Sequence, residues 1–263
     1  MKIICGLILL LVLLIYGIFR RIGSVKYGDF FEPLDSSEYS FKAFLPGCLA
    51  IVEALGLTGR GRYQARLGQK IVMLHGSRYA AYYTKVHYAV KVFYLILGLI
   101  LGALFCMLGD VDYSTLVIVP ITGTGLFFLA DKNLDDQYKK RKLELERDFP
   151  GFISKLVLLV NAGLNVRQAI ERIAVDSKKD TPLYRELQCL IADIQAGASE
   201  NEAYSDFAER CKIKQITNFI SIIRQNMKLG GTQMLFELRR MSTECWEMRK
   251  NVAKQLGETA SSK

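Results

Sequence analysis

Three stretches of the chain carry no charged residue: Ile3 to Phe19, Val92 to Leu108 and Tyr113 to Ala130. Each reaches the lower end of the roughly 17–25 residues that cross a hydrocarbon core as a helix. A single such run also fits a buried core helix, but three in one chain, with basic residues near their ends, read as membrane spans. The first run has only Lys2 before it, no small-x-small cleavage site after it, and Arg20-Arg21 next. That pattern predicts an anchor over residues 1–19 that stays in place, not a removable secretory signal. The other two runs are joined by Gly109-Asp110-Val111-Asp112, which predicts a tight transmembrane hairpin over residues 92–130. Gly98-x3-Gly102 gives its first arm a groove for close packing, and Pro120, Gly123 and Gly125 give the second a kink and small faces.

Residues 20–91 alternate in character. Residues 20–43 are mixed and polar, whereas Phe44 to Leu57 is apolar apart from Glu53 and short enough to suit an interfacial or core helix. Gly59-Arg60-Gly61-Arg62 predicts a turn. A basic amphipathic helix follows, with Arg62, Arg66 and Lys70 on one side and Leu67, Ile71 and Leu74 on another. Tyr79, Tyr82, Tyr83 and Tyr88 then approach the second run, where aromatic rings favour the membrane interface.

Beyond Ala130 the helix is expected to continue through Lys139-Lys140-Arg141-Lys142, with a restart at Asp148-Phe149-Pro150. Six apolar stripes at helical spacing come next. They are carried by Phe152, Ile153, Leu156, Val157 and Val160, then by Val166, Ala169, Ile170 and Ile173, then by Leu183, Leu187, Leu190, Ile191 and Ile194. Ala203, Phe207 and Ala208 form the fourth, Ile216, Phe219, Ile220, Ile223 and Met227 the fifth, and Leu235, Leu238, Met241, Cys245 and Met248 the sixth. Gly163, Gly197 and Gly230-Gly231 stop helices; contact with a partner's backbone is the other use for such glycines. Asn165, Thr181 (with Pro182 at the first helical position) and Thr232 are placed to start helices, and Ser199-x-x-Glu202 reads as a capping box. No stretch alternates with period two, so the fold class is all-α. Ala162-Gly163-x5-Ala169-x4-Ala174 recurs as Ala196-Gly197-x5-Ala203-x4-Ala208, which predicts a bundle with two similar halves over residues 131–263.

Charge orients these pieces. Residues 20–91 and 132–263 are rich in Lys and Arg, and the loop between the second and third runs holds Asp110 and Asp112 with no cation. The positive-inside rule puts the N-terminus and residues 109–112 outside and both long segments in the cytoplasm. The net charge of +9 follows from this bias and points to anionic lipid or an acidic partner, not to nucleic acid. Cys5 and Cys106 lie in membrane runs. Cys48, Cys189, Cys211 and Cys245 fall in segments placed in the reducing cytoplasm and read as core fillers. His75 and His87 are the only histidines, too few for a metal site, and Gly56-x2-Gly59-x-Gly61 lacks the Lys-Ser/Thr ending of a phosphate loop. The three runs contain no Asp, Glu, Lys, Arg or His, which argues against a membrane-bound protease or lipid-modifying enzyme. A membrane sensor would need more than a four-residue outer loop.

Arg147-Asp148-Phe149-Pro150-Gly151-Phe152, Asn161-Ala162-Gly163-Leu164-Asn165-x3-Ala169-Ile170, Gln195-Ala196-Gly197-Ala198-Ser199-x2-Glu202-Ala203 and Leu229-Gly230-Gly231-Thr232 occur in that order after the hairpin. Lys254-x2-Gly257-Glu258-x2-Ser261-x-Lys263 completes the set. Together they resemble the type II secretion F domain, and most closely the inner-membrane platform proteins of Flp/Tad-type pilus assembly. The resemblance runs from about Glu146 to Ala260, with a weaker match over Lys70 to Lys91. It implies a six-helix cytoplasmic bundle on a multi-pass bacterial inner-membrane protein that is not an enzyme and needs no cofactor. It further implies that such a protein couples a cytoplasmic secretion or pilus ATPase to pilin extraction and pairs with itself or a related platform subunit. The family layout also carries a last membrane helix after the position of Gly257-Glu258, which this sequence does not contain. The basic residues Arg60, Arg62, Arg66, Lys139, Lys140, Arg141 and Lys142 are the candidate contacts to the ATPase or to lipid.

Overall fold

The computed structural model describes residues 2–35, 39–57, 61–108, 117–177, 179–226 and 231–261. Among these residues there are helices and turns but no strand, so the protein is all-α. The chain forms two compact units, Met1–Gln137 and Tyr138–Lys263. The loop 109–112, Arg60 and Gly230 lie outside the described residues.

The first unit begins with α1 (Lys2–Tyr27), then short 3-10 turns at Asp29–Phe31 and Lys42–Phe44. α2 (Leu45–Ala54), α3 (Arg62–His75), α4 (Ala80–Leu108) and the first part of α5 (Ile118–Asn161) complete it. α1 continues past the charge-free run because its last turns have a partner. A side chain on Gly47 would come within 2.9 Å of the Arg20 Cα, and one on Gly23 within 2.8 Å of the Gly47 nitrogen. The two glycines therefore let α1 and α2 cross backbone to backbone. α2 is a core helix, with Leu45, Cys48, Leu49 and Val52 buried against α1 and α4. α3 buries Leu67 and Ile71, as its amphipathic pattern predicts, and adds Met73. Aromatic rings close the core, the Phe41 and Phe93 centroids stacking at 4.6 Å.

The second unit holds the remainder of α5 with α6 (Val166–Asp176), α7 (Pro182–Gln195), α8 (Glu200–Cys211), α9 (Lys214–Asn226) and α10 (Gly231–Ser261). Pro150 does not restart the chain; it lies inside α5. An interior proline forfeits one backbone hydrogen bond and crowds the preceding turn, at a cost of about 3 kcal/mol. Burial of Leu145, Phe149, Phe152, Ile153 and Leu156 around it offsets that cost, and the Ser154 hydroxyl donates to the Pro150 carbonyl at 2.9 Å. Successive helices pack as neighbours, α6 on α7, α7 on α8, α8 on α9 and α9 on α10. Phe219 of α9 meets Phe152 edge-on at 5.5 Å, and Arg239 of α10 donates to Asn161 of α5 at 2.6 Å, so the last two helices return to the first. Five cysteines are buried, as core fillers are, but Cys189 is exposed.

Candidate functional site

Two helices, Cys5–Tyr27 and Ala80–Leu108, are long and apolar enough to cross a membrane. Their apolar windows are only 6% and 39% buried, whereas the core helix of a water-soluble protein is mostly covered. Leu7, Leu10, Leu11, Leu14 and Ile18 of α1, Leu101 and Phe105 of α4, and Ile121 and Phe128 of α5 all point outward. Apolar side chains outside and small residues inside are the arrangement a lipid solvent favours. The third charge-free run lies partly outside the described residues, and the part described forms the start of α5.

Inside, the glycine pattern of α4 is a helix contact. A side chain on Gly98 would stand 2.6 Å from the Thr122 carbonyl oxygen and 2.8 Å from the Gly123 Cα, and one on Gly102 2.9 Å from the Val119 Cα. This proximity lets the Thr122 hydroxyl donate to the Gly98 carbonyl across the helices at 3.0 Å. Small residues and an interhelical hydrogen bond supply the attraction that lipid tails do not.

At the base of this hairpin sits an ionic cluster. Lys91 Nζ donates to Asp131 Oδ2 at 2.8 Å and to the Tyr63 hydroxyl at 2.8 Å. The Tyr63 hydroxyl donates to Asp131 Oδ1 at 2.6 Å, and His87 Nε2 lies 3.0 Å from the same oxygen. The Lys91 side chain is 5% exposed and that of Asp131 24%. The Lys91 ammonium also lies 4.3 Å from the Phe127 ring centroid, where the π-face favours a cation. Burial pushes the Asp131 carboxyl up, but hydrogen bonds from Lys91, Tyr63 and His87 outweigh it and hold it below the ordinary carboxylate value. Burial and the Asp131 charge push the Tyr63 hydroxyl well up. None of Tyr63, Lys91 and Asp131 stands out in the sequence alone. The available signal is positional: Lys91 immediately precedes one charge-free run and Asp131 immediately follows the other.

In the second unit the two repeated turns superimpose in conformation. Gly163 and Gly197 both have φ of +99°. The amide of Gly163 donates to the Val160 carbonyl at 3.0 Å and that of Leu164 to Leu159 at 3.2 Å. Gly197 donates to Ile194 at 3.1 Å and Ala198 to Asp193 at 3.1 Å, the same paired closure of a helix end. Each turn leads into a capped helix. Ser199 Oγ accepts from the Glu202 amide at 3.2 Å, while the full reciprocal box forms at Asn165 with Gln168. Thr181 stands at the N-cap of α7 without a capping hydrogen bond, and its hydroxyl is buried without a partner; Pro182 supplies the start. α10 is described from Gly231, with Thr232 as its second residue.

The basic candidates divide. Arg62, Arg66, Lys139 and Lys140 are exposed. Lys142 is half-buried, 3.8 Å from Glu146. Arg141 turns inward: its guanidinium meets Glu186 at 2.5 Å, and Arg210 takes the other Glu186 oxygen at 2.7 Å and reaches Asp193 at 3.3 Å. Arg141 thus belongs to a partly buried network of α5, α7 and α8, with side-chain exposures of 19% for Arg141 and 12% for Glu186. Asp148 is also buried, 3.4 Å from Arg147, with its second oxygen unpartnered. Among the described residues no three His, Cys, Asp or Glu side chains converge as metal ligands would.

These features define a membrane protein that carries a helical bundle built on repeated helix-closing turns. The family model described as Type II secretion system (T2SS), protein F matches residues 152–262, from Phe152 of α5 to the end of α10, so that stretch is similar to this family. No curated protein and no solved structure gives a match.

Proposed function

We propose that the protein is a platform subunit of a type II secretion or Flp/Tad-type pilus assembly machine in a bacterial inner membrane, with no catalytic chemistry of its own. The observation that carries this reading is the match of residues 152–262 to the type II secretion F domain, a stretch preceded in the chain by membrane-length helices whose apolar faces point outward. The excess of cations in residues 20–91 and 132–263 supports a cytoplasmic location for these segments, F domain included. There the bundle is available to a hexameric secretion ATPase, while the membrane helices face pilin and a second platform subunit. Exposed Lys139 and Lys140, with Arg62 and Arg66, supply the charge for an acidic ATPase surface or for anionic phospholipid. Arg141 is left out of that face because Glu186 already holds it.

Cross-linking in native cells, purification of the membrane-embedded chain and mass spectrometry of its partners test the reading. A secretion-type ATPase and a pilin among the cross-linked proteins are expected. Recovery of the intact chain from the membrane with neither partner overturns it.

A further inference from the structure

Cys5 and Cys106 come together although α1 and α4 are far apart in sequence. Both are about 1% exposed and pack with Val119 in a small cluster of their own, bordered by Leu99 and Ile118. The same crossing brings Gly6 of α1 near Met107 of α4, where a side chain on the glycine would lie 3.9 Å from the methionine Cε. Cys5 is in the first turn of α1, which starts at Lys2, and Cys106 is in the last turn of α4, which ends at Leu108. Both thiols therefore lie at one end of the packed helices, close to a membrane surface and not at mid-depth. The charge pattern that underlies the proposed function puts that end on the outer side, the compartment in which bacterial disulfides persist.

We propose that Cys5 and Cys106 are oxidised to a disulfide that clamps α1 to α4 on the outer side of the membrane. The inference rests on the orientation adopted under the proposed function. The oxidant is a protein disulfide of the thiol-oxidase class. One cysteine thiolate attacks it to give a mixed disulfide, and the second cysteine displaces the reduced oxidant. One S–S bond forms in this chain, one is cleaved in the oxidant, and the two thiol protons end on the oxidant's two sulfurs. The two cysteines already pack in one buried cluster, and the bond to be formed is about 2.05 Å long. The clamp would link the anchor to the hairpin during insertion, before lipid packing alone holds them.

The test uses the full chain in its own cell membranes, quenched with acid, alkylated without reduction, digested and read by mass spectrometry. The expected product is a peptide pair joined through Cys5 and Cys106, lost on reduction and lost in Cys5→Ser and in Cys106→Ser. Recovery of both cysteines as separately alkylated thiols overturns the proposal. Two further arms then identify the failed premise. A protease-sensitive tag before residue 1 that is cut only from the cytoplasmic side shows that the orientation is wrong. A tag cut from outside, with no linked pair even after diamide treatment of the membranes, shows that the thiol contact is wrong.

Discussion

Lys91 Nζ stands 2.8 Å from Asp131 Oδ2, and this pair closes the base of the α4–α5 hairpin. Lys91 precedes one apolar run and Asp131 follows the other, so an antiparallel return brings them level. Removing one partner of a buried ion pair typically costs about 3–5 kcal/mol because the other charge is stranded, whereas replacing both with apolar groups is far less harmful. Lys91→Met should therefore lower stability in detergent by roughly that amount, and Lys91→Met with Asp131→Leu should recover most of the loss. Denaturant unfolding of the three proteins measures the coupling. Simple addition of the two single effects would show that the pair does not act as a unit.

The same cluster sets a pH dependence. The Asp131 carboxyl is depressed below its ordinary value of 3.8, so its contribution to stability is present in full above that value and is lost as pH falls through the lower, folded-state value. The gap in melting temperature between the native chain and Asp131→Asn should stay constant from pH 7 to about pH 4 and narrow at more acid pH. A gap that instead closes between pH 7 and pH 5 would assign the effect to another group.

Gly98 is required by proximity, not by backbone conformation. Gly98→Leu drives a side chain against the Thr122 carbonyl, 2.6 Å from where its Cβ would sit, and breaks the Thr122–Gly98 hydrogen bond. The expected loss is about 1–3 kcal/mol. Gly125→Ala is the control: nothing lies within 4 Å of its Cβ position, so it should be neutral or mildly stabilising. Equal losses at the two positions would remove the helix contact from the argument.

Gly163 and Gly197 make the opposite case. Both have φ of +99°, and a Cβ at either would meet nothing within 4 Å. Alanine at each should cost only the backbone strain of a left-handed residue, about 1–2 kcal/mol, nearly equal at the two sites and additive in the double variant. Chemical denaturation of the full chain tests this. A much larger loss at one site would mean that the two turns are not equivalent.

Charge reversal separates surface from network in the second unit. Lys139→Glu with Lys140→Glu should leave the unfolding midpoint within about 0.5 kcal/mol of the native chain, since both side chains are exposed. Glu186→Ala strands Arg141 and leaves Arg210 with Asp193 alone, and should cost about 2–4 kcal/mol, more than Arg141→Ala, which leaves Glu186 paired with Arg210. The double reversal then tests ATPase co-purification without confounding it with instability. Unchanged co-purification would exclude these two lysines from the docking face.

Much of the architecture was legible because it is written in local, periodic signals. Ser199 and Asn165 announce helix starts, Gly163 and Gly197 announce stops, and Phe152, Leu187, Phe207 and Ile220 recur on inward faces. These effects act over a few residues and hardly depend on the rest of the chain. The reading failed where a local rule met a larger packing term. Pro150 is a helix breaker by propensity, yet the apolar residues around it keep α5 continuous. Thr181 is a good cap by type, yet its hydroxyl is buried without a partner.

By itself the sequence determined the helical class, the apolar runs, the repeated turns and the charge bias, since hydrophobic period, glycine conformation and side-chain charge are properties of short segments. Only the tertiary structure decided which polar groups meet. Arg141 looked like one cation of a surface cluster until Glu186, from another helix, took it inward. Lys91, Tyr63 and Asp131 became one site, and Cys5 and Cys106 one pair, through helix crossings that bring distant residues together. The reason is physical: the energy of an ion pair or a thiol contact depends on separation in space and on burial, and neither quantity exists until the helices have packed.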